Sequence, residues 1–158
     1  MWIMFWVVAE GFYLCMSISV WIEGSAVLLE TPNPVTALDP LSIINGRTAI
    51  ALSLFFYGAL LQNQSHRHLA SLEKYSLPNA GMFQYIICPH YTAECLVYLG
   101  LALAAAPQGR VVNTTLLAAL LFTFTNLAIS AKTTRDWYSE KFGADKVAKK
   151  WNILPFIF

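Results

Sequence analysis

The stretch Val111–Ala131 runs without one charged residue, and no other feature limits the fold of this chain as strongly. About 20 apolar residues, at ~1.5 Å of rise each, cross the ~30 Å of hydrocarbon in a bilayer. Backbone groups in hydrocarbon have no water to bond, so a run of this kind must close its hydrogen bonds internally, as a helix. Three more segments follow the same rule. Met1–Ile22 carries Glu10 as its one charge, and Thr48–Leu61 reaches spanning length if it begins near Leu41. Tyr85–Ala106 spans once His90 and Glu94 are admitted. Composition agrees: 57% of the residues are hydrophobic and 12% charged, about half the charged share of a soluble domain. The expected fold is an all-α, multi-pass transmembrane helix bundle forming one domain over residues 1–158.

Charge in the connecting segments sets an orientation. Glu23–Gly46 holds Glu23, Glu30 and Asp39, with the turn formers Thr31-Pro32-Asn33-Pro34 and Asp39-Pro40. Gln62–Gln84 holds Arg67 and Lys74 with His66 and His68, and reads as a loop. The tail after Ala131 holds Lys132, Arg135, Lys141, Lys146, Lys149 and Lys150. Both basic segments fall on one side, which the positive-inside rule makes cytosolic, together with the C-terminus. Met1–Trp21 has no basic n-region and no small-residue cleavage site, so it reads as a first membrane helix and not as a signal peptide. Asn63-Gln64-Ser65 falls on the cytosolic side and Asn113-Thr114-Thr115 almost in the membrane, so neither is expected to carry a glycan. A net charge of +1 offers nucleic acid no basic track. Cys15, Cys88 and Cys95 form no CxxC pair and read as reduced thiols, and three histidines are too few for a histidine-box metal centre.

The polar residues inside the apolar segments are costly, so each needs a reason. His90, Glu94 and Tyr98 recur every four residues and share one helical face. Pro89 suits the first turn of a helix, where its missing N–H costs nothing, so that helix is expected to start there. Ser130, Thr134 and Tyr138 repeat the same spacing at the same cytosolic level, beside Lys132 and Arg135. Two readings stand: the groups bond one another and nearby carbonyls inside the bundle, or two polar stripes enclose a ligand pocket.

The runs Tyr75–Tyr98 and Ser130–Phe142, with the closing Ile153-Leu154-Pro155-Phe156-Ile157-Phe158, resemble the C-terminal part of the steroid 5α-reductase family. Leu77-Pro78-Asn79-Ala80-Gly81-Met82-Phe83 is similar to its Leu-Pro loop. Pro89-His90-Tyr91-Thr92-Ala93-Glu94 and Tyr138 to Phe142 match two further motifs, and Tyr98 and Ser130 favour the branch that reduces polyprenal to dolichal. The resemblance implies an endoplasmic reticulum membrane enzyme of about seven helices, of which about four would lie here. It implies conjugate reduction of an unsaturated polyisoprenoid aldehyde with NADPH, in the dolichol synthesis that supports protein N-glycosylation. It also implies that His90, Glu94, Tyr98, Ser130, Thr134, Arg135 and Tyr138 line the cofactor pocket. Pro78 and Gly81 would shape the loop over it, with Gln64 and His68 on the polar segment before. The sequence departs from the family at Ser76, where a basic residue is common, and at Asn79-Ala80, where a glycine pair is usual. The family's carbonyl-polarising Tyr and Glu belong to an N-terminal half with no counterpart here, so the catalytic residues are expected outside this chain. Two alternatives stay open: a non-catalytic membrane partner subunit, and a relative of the isoprenylcysteine carboxyl methyltransferases, whose signature places His before Pro and not, as here, Pro89 before His90.

Overall fold

The computed structural model describes residues 2–30, 45–107 and 109–158. Among these the secondary structure is helical: α1 (Trp2–Glu30), α2 (Gly46–Ser71), α3 (Pro89–Ala104) and α4 (Thr114–Phe142), with short 3-10 turns at Gly81–Gln84 and Ala144–Lys146. One of them, α4, is long and apolar enough to cross a membrane. The expected start of the second span near Leu41, and the turn formers before it, lie outside the described residues. The chain divides into two compact units, one formed by Met1–Ser53 with Tyr98–Leu120 and the other by Leu54–Val97 with Leu121–Phe158.

In the first unit, side chains close the open ends of helices. The first N–H groups of a helix have no partner within it. Asn45 supplies its Oδ1 to the Thr48 N–H at 3.0 Å, capping α2. Asn113, fully buried, does the same for α4 by accepting from the Leu116 N–H at 2.9 Å. Its own amide donates to the Ala105 carbonyl and its backbone N–H to the Ala102 carbonyl, so the turn after α3 is tied to the start of α4. Glu23 reaches the same helix start, where Oε1 accepts from the Thr115 N–H at 2.7 Å and from both threonine hydroxyls. A carboxylate there also meets the positive end of the helix dipole. Along α1, Ser17 and Ser19 turn their hydroxyls back onto the carbonyls four residues earlier, which hides polar atoms on an apolar helix. Ile3, Met4, Trp21 and Leu29 stay between 71 and 86% exposed, far more apolar surface than a helix facing water usually shows.

The second unit is built on one close approach and one clasp. A Cβ on Gly58 would sit 2.9 Å from the Ala93 carbonyl oxygen and 3.0 Å from Val97, so α2 and α3 touch backbone to side chain at this glycine. One turn further along α2, this approach carries Gln62 onto Glu94. The clasp is the C-terminal segment. It pairs with the residues before α3 in a parallel bridge: Trp151 N–H donates to the Tyr85 carbonyl at 2.9 Å, and Ile87 N–H donates to the Trp151 carbonyl at 2.8 Å. Cys88 N–H continues the ladder to Asn152, and the Thr92 hydroxyl donates to the Ile153 carbonyl at 2.6 Å. Beneath it Ile87, Cys88, Ala131, Val147 and Ile153 form a buried core, with Tyr91, Phe124, Leu127 and Tyr138 packed against it. Glycine at 143, with φ of 100°, turns the chain out of α4 in a conformation that L side chains avoid.

Three sequence expectations change. The first helix does not end at Ile22, because Glu23–Glu30, read as the start of a connecting segment, continues α1; the turn formers come only after it. The polar stretch Gln62–Ser71 is not a loop but the last turns of α2. Nothing in Gln62-Asn63-Gln64-Ser65-His66-Arg67-His68-Leu69 breaks a helix, and polarity alone does not end one. The helix α3 begins at Pro89, as its sequence suggests, yet covers only Pro89–Ala104, because Tyr85–Cys88 are held in the bridge with the C-terminal segment.

Candidate functional site

Of the residues singled out by resemblance, all but Tyr98 fall in the second unit. Tyr98 belongs to the first, where its ring lies 6.4 Å from that of Phe12.

On α3, Glu94 accepts a hydrogen bond from the Gln62 amide, so the carboxylate is held from the facing helix while α3 carries His90 one turn before it. The His90 ring lies between aromatic neighbours, 4.3 Å from Tyr91, 5.4 Å from His66 and 6.1 Å from Phe83. Its Nδ1 is buried and has no hydrogen-bond partner. His68 repeats the pattern from α2: its ring lies 5.4 Å from Phe83, and its Nε2 is also buried and unpartnered. Buried polar atoms are nearly always bonded, because leaving one open costs ~1–3 kcal/mol. Both rings neighbour Phe83, so two open nitrogens lie near one phenyl ring.

A cavity of about 450 Å³ is lined by His68 and Phe83 but not by His90 or Glu94. Leu61, Gln64, Ser65 and His68 of α2 form one wall, and the turn from Ala80 to Tyr85 forms the other. Gly81 lies on its rim with φ of 56° and open space where a Cβ would point. None of these lining residues has a fixed charge, so the cavity suits a flat, neutral, hydrogen-bonding group better than an anion. Pro78 lies three residues before Gly81, and its carbonyl accepts from the Lys150 ammonium at 3.4 Å.

The α4 stripe is spent differently. Ser130 and Thr134 donate their hydroxyls to the Asn126 and Ser130 carbonyls, at 3.1 and 2.9 Å. Tyr138 packs on the buried core and on Trp137 and Phe142. Arg135 donates to the Asn152 amide oxygen at 3.0 Å and to the Val147 carbonyl at 2.7 Å, so its guanidinium fastens the C-terminal clasp. Gln62 and Asn152 are not among the residues to which the sequence points. Gln62 had a readable signal, since Gly58, Gln62 and His66 follow the same four-residue spacing as the stripe on α3. Asn152 had none, because its partner lies 17 residues away.

Comparison with known proteins places the chain in a family. The family model for 3-oxo-5-alpha-steroid 4-dehydrogenase matches residues 3–158. The chain belongs to this family. Among its relatives, polyprenal reductase 2 of Oryza sativa subsp. indica is 30% identical over 126 residues, covering 76% of this chain and 34% of the relative. The polyprenal reductase of Saccharomyces cerevisiae is 35% identical over 116 residues, covering 73% and 42%. A tomato relative, steroid 5-alpha-reductase DET2 of Solanum lycopersicum, is 30% identical over 116 residues, covering 71% and 43%. The chain thus spans between about a third and two fifths of the length of these relatives.

Proposed function

We propose that this chain carries the cofactor-binding part of an NADPH-dependent polyprenal reductase. It would lie in the endoplasmic reticulum membrane as a multi-pass bundle with its C-terminus cytosolic, and act in dolichol synthesis for protein N-glycosylation. The observation that carries the reading is the buried, unpartnered Nε2 of His68 in the wall of an uncharged cavity, with His90, whose Nδ1 is likewise unpartnered, packed near the lining residue Phe83. The family match and the polyprenal reductase relatives support it. The residues fit a nicotinamide dinucleotide at a nucleoside end. Phe83 offers a face for a flat ring, His68 and Gln64 offer hydrogen bonds, and the rim at Gly81 leaves room for close approach.

When bound, NADPH supplies the hydride for reduction of the double bond beside the polyprenal carbonyl. The chain's own residues hold and orient. His68 and Gln64 would bond the ligand from α2, and Glu94, steadied by Gln62, would fix a ribose hydroxyl or carboxamide from α3. Pro78 and Gly81 would set the turn above it. Ser130, Thr134, Arg135 and Tyr138 would act from behind, by packing α4 and the clasp against α3. Exposed apolar side chains on the described helices support a membrane setting. No residue described here is assigned the proton transfer.

The test is reduction of polyprenal by membranes containing the chain, and by a version extended to the length of its relatives, with NADPH against NADH. The expected result is NADPH-dependent turnover by the extended protein, and its absence contradicts the assignment. Glu94→Gln keeps a partner for Gln62, so it is expected to raise the NADPH dissociation constant about tenfold, or ~1.4 kcal/mol, with little change in melting temperature.

A further inference from the structure

Lys150 is almost fully buried, at 8% exposed, and no carboxylate among the described residues pairs with it. Its ammonium instead meets two neutral oxygens of one loop, Asn79 Oδ1 at 3.2 Å and the Pro78 carbonyl at 3.4 Å. A buried cation with only neutral partners is costly, and burial pushes its pKa down. The next residue, Trp151, bonds the Tyr85 carbonyl and the Ile87 N–H through its backbone. Two adjacent residues of the C-terminal segment therefore grip both ends of one short stretch. Between those grips lies Ala80–Tyr85, the wall of the cavity. Arg135 in turn anchors the segment through Val147, Ala148 and Asn152.

We infer that Lys150 is a positioning residue. It does not line the cavity, and it acts by holding the Pro78-Asn79 loop so that Ala80–Tyr85 keeps the shape that binds the ligand. The link to binding rests on the cofactor reading above, whereas the clamp itself does not.

The turn has its own reporters, since the Phe83, Tyr85 and Ile86 amides donate to the Ala80 and Met82 carbonyls. The experiment is hydrogen exchange at these amides in the purified full chain, alongside NADPH titration, for the parent, Lys150→Met and Lys150→Arg. Lys150→Met keeps the aliphatic stem and loses the donors. It is expected to speed exchange at the three amides roughly tenfold, by loosening this turn locally while α3 amides are unchanged. It should also weaken NADPH binding several-fold, and Lys150→Arg should restore part of both. Should Lys150→Met disturb the fold as a whole, Asn79→Ala removes the loop's acceptor and is expected to give the same local signature. Unchanged exchange at Phe83, Tyr85 and Ile86 in these variants overturns the clamp. Faster exchange with unaltered NADPH affinity overturns its role in binding. If the parent itself does not bind NADPH, the cofactor reading fails while the exchange result still decides the clamp.

Discussion

The two units treat their polar residues in opposite ways. In the first, Glu23 and Arg47 each leave one buried atom unpartnered, but the rest of each group is engaged: Glu23 Oε1 takes three donors, and an Arg47 nitrogen donates to the Arg110 carbonyl at 2.7 Å. These side chains fasten helix ends. In the second, His68 and His90 keep ring nitrogens open in an aromatic setting, and His68 lines a cavity. A polar group in an apolar helix is thus weak evidence of a site until its partners are known. Glu23 and Glu94 are both carboxylates on apolar helices, and they differ in what surrounds them.

The contrast can be broken first at Gly58. A Cβ there meets the backbone oxygen of Ala93, which cannot swing away as a side-chain tip would. Gly58→Ala is expected to cost ~1–3 kcal/mol through overpacking, read as a lower melting temperature. NADPH affinity should fall with it, because the same approach sets Gln62 against Glu94. If affinity holds while stability falls, the pair is not part of the site.

Glu23→Ala probes the other unit. Removing a side-chain cap from a helix start costs ~1 kcal/mol, so a modest loss of thermal stability is expected with NADPH affinity unchanged. Equal loss of affinity would erase the distinction drawn here.

The smallest effect concerns pH. Because burial lowers the Lys150 pKa, the unfolded chain binds more protons than the folded one between that lowered value and the ordinary lysine value of about 10.4. Stability relative to Lys150→Met should therefore rise with pH across this window. A difference in melting temperature that stays flat or falls from neutral pH to about pH 10 would contradict the burial argument.

Much of this was legible in the sequence. Pro89 marks the start of α3, and the spacing of His90 and Glu94 puts them on one face. Local rules suffice for features made by neighbours in the chain. The extension of α2 to Ser71 is not legible from polarity, which suits a loop as well as a helix end, although the stretch contains no helix breaker. The role of the closing Ile153–Phe158 run could be matched as a motif but not explained. Its bonds reach back to Tyr85, Ile87, Cys88 and Thr92, and no periodicity encodes a pairing that distant. The same holds for Arg135, whose charge beside a polar stripe suggested a ligand and whose bonds go to Val147, Ala148 and Asn152.

The central claim is that the open nitrogens of the second unit await a ligand. The most direct measurement is NADPH affinity and melting temperature of His90→Phe and His68→Phe, side by side with the parent chain. Phenylalanine keeps the aromatic packing around Phe83 and removes the unpartnered nitrogen, so the account predicts unchanged or higher thermal stability. It predicts at the same time a rise of about tenfold or more in the NADPH dissociation constant, a loss of ~1.4 kcal/mol of binding. Parent-like affinity in both variants, or a clear loss of stability in both, would contradict it.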